Sequence, residues 1–538
     1  MSKIIPQVPL VNIPELLGAY ERLTPNPDHS SERVQFGTSG HRGSSLTHSF
    51  NQHHILAIVQ AVCDYRTKHS INGPLFLGFD THALSLPAFQ TSLEVLAANG
   101  VEVMIAQNDE FTPTPVISHA ILSYNKGRSK NFADGIVITP SHNPPSDGGI
   151  KYNPPHGGPA EKEITDSIQN EANAYLKNKL VGIKRTSFAL AKSMPTTHAY
   201  DFITPYVLDL DHVVDMKLIR DSQIKLAVDP LGGAAIHYWN AIADYYDLNL
   251  TVLNQSLDKS FDFMARDWDG KIRMDPSSAF VMKPVVQQAK GYDVAFACDT
   301  DADRHGIVTP HGGLIPSNHY LATSIFYLFQ NRPQWKPNLK IGKTVVSSDM
   351  IARVAKLIGR EVFEVPVGFK WFVDGIFRAE LGFVGEESAG ATFLRKDGTP
   401  WTTDKDGLIP CFLAAEMTAK MEQDPAAIYE NLTKRLGNPA YRRVEAKADP
   451  KAREKFKTIS KDNVKAETLG GETIKSILTE APGNHASIGG IKVETENAWF
   501  AVRPSGTEDI FKIYAESFLG EAHLELVLND AQKISDEL

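Results

Sequence analysis

"ADGIVITPSHNPPSDGGIKYNPPHGGP", residues 133–159, sets a proline-stiffened polar loop directly after an apolar run. Ile136, Val137 and Ile138 have the continuous apolar character of a strand buried on both faces. Thr139, Ser141, His142 and Asn143 follow, bracketed by Pro140 and by Pro144–Pro145. The same design returns downstream in "VAFACDTDADRHG" (294–306) and "LGFVGEESAG" (381–390). Ligands of open α/β sheets bind outside the carboxyl ends of strands. Three such strand ends predict three similar α/β domains around a central cleft.

The segments between these loops agree. "LPAFQTSLEVLAANG" has helical periodicity and is followed by "VEVMIAQ", which reads as a strand. "IKLAVDPLGG", "AAIHYWNAIADYYD" and "LNLTVLNQ" give strand, helix and strand, as does "TVVSSDMIARVAKLIGREVFEVPVGFKWF". This alternation predicts mainly parallel, mixed sheets. The tail differs: "AWFAVRPSGTEDIFKIYAES" reads as strand, turn, strand. In it Phe511, Ile513 and Ala515 alternate with Lys512, Tyr514 and Glu516, before the helical "EAHLELVLNDAQKISDEL". Linkers are expected near 195–200, 310–320 and 430–440. The expected units are α/β domains at 1–197, 198–312 and 313–436, then a smaller C-terminal α+β domain at 437–538.

Bulk properties narrow the function classes. A chain of 538 residues is too long for one core and calls for roughly three to five domains. Its net charge of −9, with no basic tail, argues against nucleic acid or an anionic membrane as partner. No run reaches the ~18–20 apolar residues of a membrane span. Pro6, Pro9 and Pro14 interrupt the N-terminal stretch as a signal peptide. Cys63, Cys298 and Cys411 lack metal-ligand spacing and read as reduced thiols. A cytoplasmic protein is expected, with a monomer and a homodimer both compatible.

The loops carry the chemistry. Asp299, Asp301 and Asp303 in "DTDADR" share one face of an extended segment. Three unpartnered carboxylates there would repel, and a hard divalent cation, Mg²⁺ or Ca²⁺, resolves the repulsion. A solvated acidic turn is the plain alternative, but the place directly after "VAFAC" favours a metal site. An EF-hand fails, because Arg304 and Pro310 stand where it needs Gly and Glu. In "RPSGTED" (503–509), Arg503 with Lys512 supplies positive charge, Ser505 and Thr507 supply hydroxyls, and Gly506 lets backbone N–H groups approach an anion. A hairpin turn explains that segment equally well alone, and a phosphate cradle explains it in company. "IGKT" (341–344) is a decoy for a nucleotide loop: Pro337 stands where the required glycine would be, and a strand is expected to follow. Glu386, Glu387 and Ser388 in "GEESAG" could hold sugar hydroxyls or form a surface turn. "FGTSGHRGSS" (36–45) places Arg42 among glycines. Ser141 beside His142 invites a hydrolase reading, yet adjacent residues rarely make the nucleophile–base bond, and no G-x-S-x-G elbow surrounds them. A phosphorylatable serine facing a cation and a cationic cradle fits phosphoryl transfer better.

Taken in order, these loops resemble those of the α-D-phosphohexomutases over essentially the whole chain. "TPSHNPP" is similar to the family's phosphoserine loop, "DTDADRHG" to its magnesium loop, "GEESAG" to its sugar loop and "RPSGTE" to its phosphate loop. "FGTSGHRG", "DPLGG" and "VGFKWF" support the match. The resemblance implies one Mg²⁺ per chain, bound by Asp299, Asp301 and Asp303 with an oxygen of phosphorylated Ser141. It places Glu386 and Ser388 on sugar hydroxyls, and Arg503, Ser505, Gly506, Thr507 and Lys512 on the unreacting phosphate. Arg304 and Lys370 would line the cleft. Lys151, His142 and Arg42 are all candidates for proton transfer.

The implied reaction interconverts α-D-glucose 1-phosphate and glucose 6-phosphate, with glucose 1,6-bisphosphate as intermediate and activator. A loop "GEESAG" that does not end in His resembles the glucose-specific branch, against mannose or glucosamine phosphates. Thr300 and Ala302 are smaller than, or differ from, the residues that relatives often carry between the aspartates. His82 in "GFDTHALS" stands where many relatives have Arg. A Mg²⁺-dependent phosphatase and a non-catalytic sugar-phosphate binder are the rival readings.

Overall fold

A computed structural model describes residues 8–37, 40–447, 459–504 and 510–537. Each of the first three sheets has a parallel centre and at least one antiparallel edge. The first, six-stranded, runs His41–Gly43, Gly148–Asn153, Asp134–Ile138, Leu75–Phe79, Val103–Ala106, Thr197–Tyr200. The second, five-stranded, runs Gly313–Leu314, His305–Thr309, Val294–Cys298, Leu226–Asp229, Leu250–Val252. The third, four-stranded, runs Val362–Val365, Lys340–Thr344, Leu381–Gly385, Ala391–Phe393. Central strands such as Leu75–Phe79 and Asp134–Ile138 are buried along their whole length, as parallel strands covered by helices on both faces must be.

The three recurring loops share one topological position. Each leaves a strand that pairs in parallel with its neighbour and returns as an antiparallel strand. Asp134–Ile138 returns as Gly148–Asn153, Val294–Cys298 as His305–Thr309, and Leu381–Gly385 as Ala391–Phe393. The returning strand braces the loop it follows. Thr139 N–H donates to Gly149 O at 2.9 Å. A Cβ on Gly149 would lie 2.1 Å from Thr139 O, so only glycine permits this approach.

Some sequence expectations shift. Thr197–Tyr200 pairs in parallel with Val103–Ala106, so the stretch read as a linker closes the first sheet and the boundary at 197 falls inside a strand. Gly313–Leu314 pairs with the second sheet, so the boundary at 312 falls just before that sheet's edge strand. "IGKT" lies within the strand Lys340–Thr344 and is not followed by one; the helix Met350–Leu357 comes next. Lys343 is fully buried there, 2.9 Å from both Asp349 and Glu364.

The fourth sheet is antiparallel throughout, in the order Ala440–Lys447, Ile510–Ser517, Ala498–Pro504, Ser487–Glu494, Ser476–Glu480, with the helix Glu521–Glu537 on one face. Phe511, Ile513 and Ala515 face the core under that helix. Tyr514 and Glu516, on the alternate face, are buried too, because that face docks on the third sheet's domain. Trp499, Ala501 and Tyr514 pack there with Val345 and Val346. Glu516 accepts from Ser348 Oγ, from Asp349 N–H at 2.7 Å and from Trp499 Nε1 at 2.9 Å. Lys492 Nζ meets Glu364 at 2.9 Å, which adds an ion pair to the seam's apolar contacts and hydrogen bonds.

A single hydrophobic cluster runs through the first three domains, from Phe76 and Val116 through Trp239 and Phe296 to Phe412 and Leu432. A buried ion pair inside the third domain also holds the second, through Asp215 N–H on Glu416 and Val213 O on Arg332. Arg332 Nη1 and Nη2 reach Glu416 at 2.7 and 2.9 Å, and Glu416 also accepts from Tyr327 OH and Asp215 N–H, both at 2.8 Å. Glu416→Ala strands a buried guanidinium and is expected to cost about 3–5 kcal/mol. Thermal unfolding should show it as a lowered first transition; an unchanged melt would mean the pair locks nothing.

Candidate functional site

Ser141 has a left-handed backbone, φ +60°. Its mount is a hydrogen-bonded relay from the first sheet's strand ends. Ser141 N–H donates to Thr139 Oγ1 at 2.8 Å, and Thr139 Oγ1 donates to Asp80 Oδ2 at 2.7 Å. Asp80 also holds Ser85 Oγ at 2.6 Å and His82 Nδ1 at 2.9 Å, while His82 Nε2 lies 3.0 Å from Asn143 O. Burial opposes a charge on His82, and the Asp80 carboxylate overrides it, holding the imidazole above its ordinary range. His82 therefore grips the serine loop directly.

The loop's outer side meets the second sheet. Ser141 Oγ donates to Asp299 Oδ2 at 2.7 Å, and Thr300 Oγ1 donates to Ser141 O at 2.5 Å. Met274 N–H donates to His142 O at 3.2 Å. His142 Nδ1 is 3.4 Å from Ser141 Oγ. Burial, reinforced by the Arg304 charge, keeps that imidazole well below its usual range.

Asp299, Asp301 and Asp303 converge as their spacing predicts: one carboxylate oxygen from each lies within 4.8 Å of the others, and all three residues are buried. Asp299 Oδ1 is anchored by the N–H groups of Asp303 (3.0 Å) and Arg304 (3.1 Å). Burial, then the charges of Asp301 and Asp303, push the Asp299 carboxyl well above the usual range. Asp301 Oδ1 and Asp303 Oδ1 are buried and accept no hydrogen bond from a described residue. All-oxygen donors with two unsatisfied buried oxygens fit a hard divalent cation.

Cations surround the triad. Lys151 Nζ lies 2.6 Å from Asp301 Oδ2 and 3.1 Å from Asp303 Oδ2. Burial would lower its pKa, and these two carboxylates outweigh burial and hold the ammonium above the ordinary lysine range. Lys405 Nζ lies 3.1 Å from Asp303 Oδ2, and Thr114 Oγ1 donates to Asp301 Oδ2 at 2.5 Å. Lys405 and Thr114 were not foreseen, because neither stands in a motif. Arg42 sits in His41–Gly43, in register with Gly149 beside the serine loop.

The sugar loop is stitched to the metal loop. Arg304 bridges Gly390, and His305 N–H donates to Ala389 O at 3.1 Å. Glu386 is buried, accepts Gly368 N–H at 3.1 Å, and is pushed up to about 7 mainly by desolvation. Ser388 is half-buried beside it. Lys370 stands apart from the triad, half-buried with Nζ 5.3 Å over the Trp371 ring, and its charge faces Lys162, Glu163 and Asp166. Arg503 and Lys512 are direct cross-strand partners and share a face. Ser505, Gly506 and Thr507 lie outside the described residues.

Fold and site together define a class: a four-domain α/β protein whose strand-end loops bring a serine hydroxyl against a buried acidic triad ringed by lysines. Descriptions of the phosphoglucomutase/phosphomannomutase α/β/α domains I, II and III match residues 33–179, 204–312 and 316–436, and that of its C-terminal domain matches 441–533. The chain belongs to the phosphoglucomutase/phosphomannomutase family. It is 58% identical over 523 residues to a protein named phosphoglucomutase from Komagataeibacter xylinus, covering 97% of this chain and 94% of that one. It is 27% identical over 380 residues to phosphoglucomutase 1 of Drosophila melanogaster, covering 65% and 63%. Among solved structures, the open form of Paramecium parafusin superposes with a TM-score of 0.74 at 20% identity, covering 96% of each chain. A putative phosphomannomutase from Thermus thermophilus gives 0.72 at 22% identity, covering 94% of this chain and 99% of that one. Among the described residues no helix is long and apolar enough to cross a membrane.

Proposed function

We propose that the protein interconverts α-D-glucose 1-phosphate and glucose 6-phosphate, with Ser141 as phosphoryl carrier and glucose 1,6-bisphosphate as intermediate and activator. The observation that carries this reading is the 2.7 Å contact of Ser141 Oγ with Asp299 inside the acidic triad. The name of the 58% identical relative supports glucose as the sugar.

Asp299, Asp301 and Asp303 would hold one Mg²⁺ per chain together with an oxygen of phosphorylated Ser141. Bound there, the ion supplies charge that neutralises the moving phosphoryl group. Lys151, kept cationic by its two carboxylates, adds charge at the same point, and Arg42 and Arg304 extend it. The phosphoryl group passes from Ser141 Oγ to the free sugar hydroxyl, whose proton ends on Ser141 Oγ. His142, Lys151 and Arg42 would be the candidates to relay that proton. The bisphosphate then turns around and returns its other phosphate to Ser141. Glu386 and Ser388 would take the sugar hydroxyls. Arg503 and Lys512, with Ser505, Gly506 and Thr507, would grip the phosphate at rest, while Lys370 would border the cleft.

Incubating the purified protein with glucose 1,6-bisphosphate should leave one phosphate on the Ser141 peptide. Turnover of glucose 1-phosphate should exceed that of the mannose and glucosamine 1-phosphates by about tenfold or more. A Ser141 peptide that stays unmodified would sink the mechanism, and steady release of inorganic phosphate without glucose 6-phosphate would favour a phosphatase.

A further inference from the structure

The second domain sends out an excursion whose bonds are mostly internal. Arg266 and Ile272 form an antiparallel bridge, Arg273 grips Asp269 at 2.8 and 2.9 Å, and Ser278 Oγ donates to Asp267 at 2.7 Å. Met274 is fully buried, and its N–H reaches the carbonyl of His142. The next residue, Asp275, is thereby fixed beside the serine loop. Its Oδ1 accepts from Ser277 N–H at 3.0 Å and Ser277 Oγ at 2.7 Å, while its Oδ2 lies 3.8 Å from Arg304 Nη1.

Arg304 stands between two carboxylates. Its backbone is pinned by Asp299 Oδ1 and by the bridge to Gly390, so its side chain alone can choose. On the far side, Arg304 Nε is 3.8 Å from Asp303 Oδ1. Both of those atoms are buried and meet no hydrogen-bond partner among the described residues. Moving about 1 Å closer would give a charge-assisted hydrogen bond of ~2.8 Å. Asp303 Oδ2 is already shared by Lys151 and Lys405, so that move would consume the oxygen still open.

We propose that Asp275 is a positioning residue that holds the Arg304 guanidinium off Asp303 Oδ1 and so keeps that oxygen open for the cation. The inference rests on the metal reading of the triad. Asp275 touches neither substrate nor ion; it acts through Arg304. In Asp275→Asn the side chain keeps its Ser277 contacts but loses its charge, and Arg304 collapses onto Asp303.

The test is Mn²⁺ binding to the full chain, followed by electron paramagnetic resonance without substrate. Asp275→Asn should weaken Mn²⁺ binding by about tenfold, and Asp275→Glu should recover most of it. In an Arg304→Ala background the Asn substitution should have no further effect, and recovered affinity in that double variant would also show that the Asn chain folds. Unchanged Mn²⁺ affinity in Asp275→Asn overturns the proposal, and so does a tenfold loss that persists without Arg304. A wild-type chain that takes up no Mn²⁺ overturns the metal reading itself and the proposal with it.

Discussion

Replacing Ser141 by alanine is expected to lower interconversion of glucose 1-phosphate and glucose 6-phosphate on the order of 10⁴-fold or more. The loss should be in turnover. Ser141 Oγ makes one strong contact, to Asp299 Oδ2, while Thr139, Thr300 and Met274 hold the loop through backbone atoms that alanine keeps. The mount therefore survives, and substrate affinity measured by calorimetry should stay within a few-fold of wild type, in line with the ~1 kcal/mol net worth of one hydrogen bond. Added glucose 1,6-bisphosphate should not rescue the variant, because no oxygen remains to receive the group. Substantial turnover by Ser141→Ala would move the phosphoryl carrier elsewhere.

Asp299→Asn should separate stability from activity. Burial and the two neighbouring carboxylates push the Asp299 carboxyl well above its usual range, so the metal-free fold carries a charge penalty at neutral pH. The sign follows from linkage: a raised folded pKa contributes stability below the unfolded carboxyl value of about 3.9, and that contribution is lost as pH rises. Asparagine removes the penalty, while its Oδ1 still accepts from the N–H groups of Asp303 and Arg304. Metal-free Asp299→Asn should melt no lower than wild type at pH 8, with any advantage fading toward pH 4. Turnover should nevertheless fall on the order of 10³-fold. Saturating Mg²⁺ should stabilise wild type by about 4 kcal/mol at a thousand times its dissociation constant, and the variant far less. A variant that keeps both its Mg²⁺ response and its turnover would remove Asp299 from the metal seat.

The three chemical loops were legible because each follows an apolar strand and gathers its functional atoms within a few residues. The antiparallel return after each loop was legible in principle as well: 139–147, 299–304 and 386–390 are too short for a parallel crossover. Thr114, Lys405 and Asp275 were not legible. Each reaches the site from a distant part of the chain, and nothing local marks it. Glu516 was not legible for another reason. Strand alternation assigns such a charge to solvent, yet Glu516 accepts from Ser348 and Asp349 of the third domain, so the rule holds for the isolated sheet and fails at the seam. Lys343 in "IGKT" is a buried charge as well, paired within its own domain with Asp349 and Glu364.

The left-handed backbone at Ser141 has a consequence for which residue can serve as carrier. Threonine offers the same hydroxyl chemistry and accepts phosphate equally well. A β-branched side chain at φ +60°, however, collides with its own backbone, and such residues are outliers in that region. The turn that aims the hydroxyl at Asp299 thus discriminates between two chemically equivalent alcohols on shape alone. At this position the choice of nucleophile is written in a torsion angle rather than in reactivity.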